Sequence, residues 1–109
     1  MAYDEDLALR LRVAFQDETD VVEKKMFGGM AFMVRGNMCC GVTGSDLMVR
    51  VGAEQYDNAI SLPHARPMDF TGRPMKGFVY VDGEGVDTNE NLKEWVNRSM
   101  KFVSTLPPK

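Results

Sequence analysis

Groups able to bind an anion are concentrated in one proline-rich segment of the sequence, His64–Lys76, which reads HARPMDFTGRPMK. Its charged or titratable members are His64, Arg66, Asp69, Arg73 and Lys76. Arginine presents a planar fork that suits bidentate binding of phosphate or carboxylate, and prolines lower the entropy cost of ordering a binding loop. These residues make the segment the best candidate for an anion-binding or partner-binding site. The interpretation we favour, however, is structural: Asp69 pairs with Arg66 or Arg73, and the segment only connects two strands.

A second candidate site combines Lys24 and Lys25 with the glycine pair Gly28 and Gly29. A glycine turn can offer backbone N–H groups to an anion, with the lysines nearby. The pattern does not match a P-loop, because no helix is predicted after the glycines. The alternative is a bend through which the chain enters the edge of a sheet.

Cys39 and Cys40 are the only cysteines, and His64 is the only histidine. Neighbouring residues on a strand point to opposite faces, so we expect neither a disulfide nor a metal site shared with His64. Two free thiols fit a reducing compartment, with redox sensing as the alternative. No nucleophile elbow or paired-carboxylate motif is present. The sequence therefore favours a protein without catalytic residues and without a cofactor.

Methionine is unusually frequent, with nine residues in a chain of 109. Met30, Met33, Met38 and Met48 fall on neighbouring predicted strands. Methionines commonly fill a core, but their flexible thioethers also suit an adaptable protein-binding surface. A copper(I) site is a further alternative.

Two arginines, Arg35 and Arg50, share predicted strand faces with Met33 and Met48. If three consecutive strands pair in order, these residues lie together on an outward face. Methionine and arginine are both enriched at interfaces, and an uncovered edge strand can pair with a second copy of itself. The pattern therefore predicts a partner surface and a homodimer.

The residue pattern predicts a helix first and then a meander of three strands. Helical spacing of apolar residues covers Asp4–Gln16, and alternation then covers Met30–Arg35, Met38–Thr43 and Leu47–Val51. The predicted tight turns are Gly36–Asn37 and Gly44–Ser45–Asp46. Together these segments predict an antiparallel meander.

The second half of the sequence returns to helical spacing over Gly52–Leu62 and to a strand over Phe78–Val81. The prolines of the segment between them place any strand there at an edge. A capping box of Asp87 and Glu90 precedes an apolar stripe from Leu92 to Leu106, which predicts a C-terminal helix. The order α-β-β-β-α-β-β-α predicts an α+β fold: an antiparallel sheet of about five strands with flanking helices.

Length and composition indicate one soluble domain over residues 1–109. Hydrophobic residues make up 44% of the chain and charged residues 27%, and the net charge is −3. No signal peptide is visible, and no apolar run approaches the roughly 20 residues of a membrane span. We therefore expect a cytoplasmic protein without a membrane partner.

Several ordered motifs together resemble the TfoX/Sxy N-terminal domain family. They are KKMFGGMAFMVRGNMCCGV, DLMVRVGAEQYDNA, ARPMDFTGRPMKGFVYV and a tryptophan-bearing helix ending in LPPK. The resemblance implies a cytoplasmic bacterial protein. Its best-known members regulate natural competence together with a cyclic-AMP-dependent transcription activator. Those members are longer and carry a second, helical C-terminal domain that this sequence does not contain. The resemblance implies no catalytic residues.

Residues and resemblance together favour a non-enzymatic regulatory or protein-interaction domain, with the sheet face and the loop from Arg66 to Lys76 as contact surfaces. The first alternative is a nucleic-acid-binding regulator. It requires one basic patch made of Lys24, Lys25, Arg66, Arg73 and Lys76. The acidic isoelectric point of about 5.1 argues against it. The second alternative is a small anion-binding or nucleotide-binding protein that uses the segment 64–76.

Overall fold

A six-stranded antiparallel sheet organises the chain in the computed structural model, which describes residues 3–26, 28–69, 72 and 75–107. The strands are β1 (Val21–Met26), β2 (Gly29–Val34), β3 (Asn37–Thr43), β4 (Asp46–Arg50), β5 (Ala65–Pro67) and β6 (Phe78–Val81). Their order across the sheet is β1-β2-β3-β4-β6-β5, and all neighbours are antiparallel. The predicted α+β class is confirmed. The sheet has one strand more than expected, because β1 shows no alternation of apolar residues.

Three helices accompany the sheet: α1 (Glu5–Ala14), α2 (Tyr56–Ile60) and α3 (Asn89–Val103). The Asp4 carboxylate caps α1 by accepting the N–H groups of Asp6 and Leu7 at 2.9 and 3.2 Å. The predicted capping box at the start of α3 is wrong by one residue. There the Thr88 hydroxyl accepts the N–H of Asn91 at 3.1 Å. Among the described residues, no helix has the length and apolar character that a membrane crossing requires.

The β2–β3 hairpin turns at Arg35 and Gly36, one residue earlier than predicted. Val34 and Asn37 form the closing pair, and the φ angles of Arg35 and Gly36 are +50° and +83°. Two consecutive positive φ angles are the signature of a type I′ turn, whose twist matches that of the paired strands. The sequence points to Gly36–Asn37 because asparagine and glycine are the usual residues of such turns.

The face of the sheet that α1 and α3 cover holds the main hydrophobic core. Its largest buried side chains include Leu7, Leu11, Phe15, Phe32, Val34, Leu47, Val49, Trp95 and Val96. The rings of Phe15 and Phe32 stack with centroids 5.5 Å apart, which fixes the end of α1 against β2. Burial of the apolar stripe of α3 against β3 and β4 provides the other main contact of this layer.

The opposite face of the sheet carries a second core that is rich in methionine. Its buried members are Ala31, Met38, Met48, Met68 and Tyr80, and Met26, Met33, Met75 and Phe78 pack against them half-buried. Met68 and Met75 come from the segment between β5 and β6, which folds back so that the Met75 N–H donates to the Met68 carbonyl at 2.7 Å. Met48 therefore does not face outward as expected, and a partner surface on this face stays a prediction. The chain covers the centre of this face with its own segment.

Replacement of Met68 by alanine tests whether the second face is a true core. Met68 is 0% exposed, so Met68→Ala should lower the free energy of unfolding by about 2–5 kcal/mol, as other buried methionines do. The matched control is Met33→Ala on the same face, where the side chain is half-buried and the loss should be less than half as large. Urea unfolding measures both, and equal losses would contradict a closed second core.

Candidate functional site

Arg66, the first predicted anion-binding residue, is engaged by carboxylates of the same chain. Its guanidinium donates to Asp82 and also to Asp46, with 2.6 Å between Nη2 and Oδ2 of Asp46. It also lies 5.0 Å from the centroid of the Tyr80 ring. Partial burial lowers the pKa of Arg66, but the two carboxylates outweigh this and raise it. Arg66 therefore ties β4, β5 and β6 together, with partners other than the expected Asp69.

The other described members of the predicted loop are His64, Asp69 and Lys76. His64 lies in the turn before β5 with a φ of +69°, and its carbonyl accepts the Asp82 N–H at 2.9 Å. Asp69 and Lys76 are exposed. Arg73 lies outside the described residues, so its predicted role stays a prediction.

The two predicted basic clusters lie at opposite edges of the sheet. Lys24 and Lys25 are on β1, and Arg66 is on β5, five strand spacings away. At about 4.8 Å per spacing the separation is about 24 Å. Lys24 pairs across the ladder with Ala31 of the methionine-rich face, and Lys25 with Met30 of the helix-covered face, so the two lysines also face apart. The single patch that the nucleic-acid hypothesis requires is not formed by these residues.

The glycine pair has a steric role in the sheet. Gly28 is exposed with a φ of +73°, and Gly29 is buried at the start of β2. A Cβ added to Gly29 would lie 1.8 Å from the carbonyl oxygen of Val42 on β3. Because no side chain fits there, this contact supports the structural alternative for Gly29.

Arg50, predicted to lie on a partner surface, is held between aromatic rings. Its guanidinium carbon lies 5.4 Å from the ring centroids of both Phe78 and Phe102. One N–H points to the Met38 carbonyl at 3.5 Å. Cation–π contacts of this kind are stabilising, and more so when partly desolvated. Arg50 therefore links β4 to α3 and to the strand beside it.

The two cysteines lie side by side because β3 contains a bulge. Phe32 pairs with Cys40 and Met33 pairs with Met38, which leaves Cys39 as an extra residue. At a bulge the alternation of faces breaks, so both thiols enter the helix-covered core with their sulfurs 4.0 Å apart. The expectation that they point to opposite faces is wrong for this reason.

Cys39 is surrounded by polarisable and polar groups of α3. Its thiol donates to Ser99 Oγ at 3.1 Å and lies 3.7 Å from Met100 Sδ, and the Ser99 hydroxyl donates to the Cys39 carbonyl at 2.8 Å. A hydrogen bond from Cys40 lowers the pKa of Cys39, and this outweighs the effect of burial. The same hydrogen bond, together with full burial, raises the pKa of Cys40 well above its ordinary value.

An open cavity of about 580 Å³ lies between α2, α3 and the end of β4, and we call it the α2–α3 groove. Its lining residues are Val51, Ala53, Glu54, Gln55, Ala59, Arg98, Lys101, Phe102 and Thr105. Sequence reasoning missed this groove, because its lining comes from two segments that are far apart in the sequence, 51–59 and 98–105. Phe102 belongs to the apolar stripe predicted for α3, and in the structure it stays half-buried and lines the groove.

The groove has an apolar base and a charged rim. Val51 and Ala59 are buried, whereas Glu54 and Lys101 are exposed. Arg98 lies over the Trp95 ring at 5.4 Å and 3.9 Å from the Glu94 carboxylate, so its charge is partly matched. A volume of this size is within the range of protein ligand sites. The arrangement can bind an apolar group that carries negative charge at one side.

Comparison with known proteins identifies the family. The model of the TfoX N-terminal domain family matches residues 13–103, and the chain belongs to that family. Neither the comparison with curated proteins nor the comparison with solved structures gives a match.

Replacement of Gly29 by alanine tests the steric assignment of the glycine pair. The new methyl group would meet the Val42 carbonyl, and Gly29→Ala should lower the free energy of unfolding by about 3 kcal/mol. The control is Gly44→Ala, where no atom lies within 4 Å of the added Cβ. At Gly44 the alanine would be strained only because its φ is +56°, which should lower the free energy of unfolding by about 1 kcal/mol. Thermal unfolding measures both, and a smaller loss at Gly29 would contradict the assignment.

Proposed function

We propose that the chain is a non-enzymatic regulatory domain that acts by binding a protein partner, and that the α2–α3 groove receives an apolar, acidic segment of that partner. The observation that carries the proposal is the groove itself: an open cavity of about 580 Å³ with an apolar base and cations on its rim. The chain belongs to the TfoX N-terminal domain family, and its resemblance to the best-known, regulatory members supports a regulatory role.

The cationic side chains on the rim of the groove favour an acidic partner segment. Arg98 and Lys101 are three residues apart on α3 and therefore lie on the same side of the helix. Both line the groove, and Glu54 lines its opposite side. The lining therefore carries more cationic than anionic side chains, although the net charge of the whole chain is −3. Carboxylates of a partner can pair with this side. An amphipathic helix that places apolar residues one turn apart into a groove is a common mode of recognition.

The other surfaces first expected to bind a partner are less suited to the role. The methionine-rich face is largely covered by the chain itself, and Arg66 is paired with Asp46 and Asp82. A homodimer stays a prediction of the sequence, for which β1 offers an edge strand with Val22 55% exposed. Lysines on an edge strand oppose such pairing, and β1 carries two.

Two groove variants and one matched control test the proposal. Thr105→Trp should fill the groove and Lys101→Glu should reverse the charge of its rim. Lys93→Glu makes the same charge change on an exposed position of α3 that does not line the groove. Quantitative affinity purification from the source cells should recover a partner with the wild type and with Lys93→Glu. Recovery should fall at least tenfold with either groove variant, because each removes one of the two features that bind.

Equal recovery with all four proteins would exclude the groove as the binding site.

Fluorescence anisotropy with duplex DNA, single-stranded DNA and RNA at low and physiological salt tests the competing nucleic-acid hypothesis. Salt-sensitive binding of a nucleic acid, with no protein retained, would replace the proposal by the nucleic-acid hypothesis.

A further inference from the structure

We propose that Cys39, Cys40 and Met100 form a binding site for a soft monovalent metal ion, Cu⁺. The site consists of two thiols and one thioether in a single contact cluster, and it is separate from the α2–α3 groove. The bulge in β3 creates it, because a regular strand would turn one thiol away.

The sulfur separations match what metal coordination requires. With metal–sulfur bonds of about 2.3 Å, two sulfur ligands lie about 3.8 Å apart in a tetrahedral site and about 4.0 Å apart in a trigonal one. Cys39 Sγ lies 4.0 Å from Cys40 Sγ and 3.7 Å from Met100 Sδ. Cys39 is thus already at binding distance from both other donors, and the backbone needs no large movement.

The types of donor select the metal. Thiolates and thioethers prefer soft ions such as Cu⁺, whereas Zn²⁺ in structural sites takes four thiolate, imidazole or carboxylate ligands. Within the described ranges no group of three or more His, Cys, Asp or Glu side chains is placed to hold a metal ion. Because the third donor here is a thioether, the cluster suits Cu⁺ and lacks the ligands that Zn²⁺ needs.

Binding exchanges two protons for one metal ion. Each thiol loses its proton to the solvent, two Cu–thiolate bonds and one Cu–thioether bond form, and copper stays in the +1 state throughout. The bound unit carries one net negative charge. Two charges act on Cys39 with opposite signs: the carboxylate of Glu18 disfavours a negative site and the guanidinium of Arg50 favours it, and the effect of Glu18 is the larger. Ser99 keeps its hydrogen bond to the Cys39 carbonyl and holds the bulge in place.

Met100 gives the site a route of entry. Cys39 and Cys40 are both 0% exposed, but Met100 is only partly buried at the seam between α3 and the sheet. A thioether near the surface can take Cu⁺ first and transfer it to the thiols beneath.

A copper competition experiment with a matched methionine control tests the site. The purified chain is titrated anaerobically with Cu⁺ in the presence of bicinchoninate, a coloured Cu⁺ chelator. The wild type should remove one Cu⁺ per chain from the chelator and develop near-ultraviolet thiolate-to-copper absorption. Cys39→Ser and Cys40→Ser should abolish this uptake. Met100→Leu should weaken it at least tenfold, and Met33→Leu, on the opposite face, should match the wild type.

Each contrary result overturns the proposal. Failure of the wild type to take Cu⁺, or uptake that survives both serine variants, would show that the thiols do not bind it. Equal Cu⁺ affinity of Met100→Leu and Met33→Leu would show that the Met100 thioether is not a ligand. Zn²⁺ binding as tight as Cu⁺ binding would show that the site does not select Cu⁺. Leucine conserves the volume of methionine, so this comparison stays valid even if a serine variant does not fold. The copper result is independent of the groove result.

Discussion

Strand β3, at Asn37–Thr43, is buried along six of its seven residues, and a strand buried on both faces needs a covering layer on each side. On one side α1 and α3 provide that layer. On the other side Met68 and Met75 provide it from the segment between β5 and β6. Without these two layers, apolar surface of the central strands would face water, so the positions of the helices and of the methionine segment both follow from this one strand.

The same constraint determines which surfaces remain for function. The covered faces leave the edges of the sheet and the α2–α3 groove, where α2 is too short to close over Phe102. Within the loop, Arg66 is part of the framework, because its charge is already matched by Asp46 and Asp82. Helix α3 links the two proposed sites, because Ser99 and Met100 face the thiols while Lys101 faces the groove.

Much of the fold follows from local patterns, and the site does not. Alternation located β2 to β4 and β6, and helical spacing located α1 and α3, because each presents a periodic apolar face. Strand β1 was missed since VVEKKM lies at an edge and carries little apolar alternation. The bulge at Cys39 was missed because period-2 reasoning assumes a regular ladder. The groove depends on residues 51–59 and 98–105 meeting in space, which no local pattern encodes.

The most direct test of this account is the solvent accessibility of the methionine methyl groups in the free chain. Methyl-labelled methionine and a soluble paramagnetic agent measure it residue by residue in solution. If the second face is closed, Met48 and Met68 keep their signals while Met33, which is half-buried, loses intensity. Attenuation of Met48 as strong as that of Met33 would show an open sheet face. That face would then again be the leading partner surface, ahead of the groove.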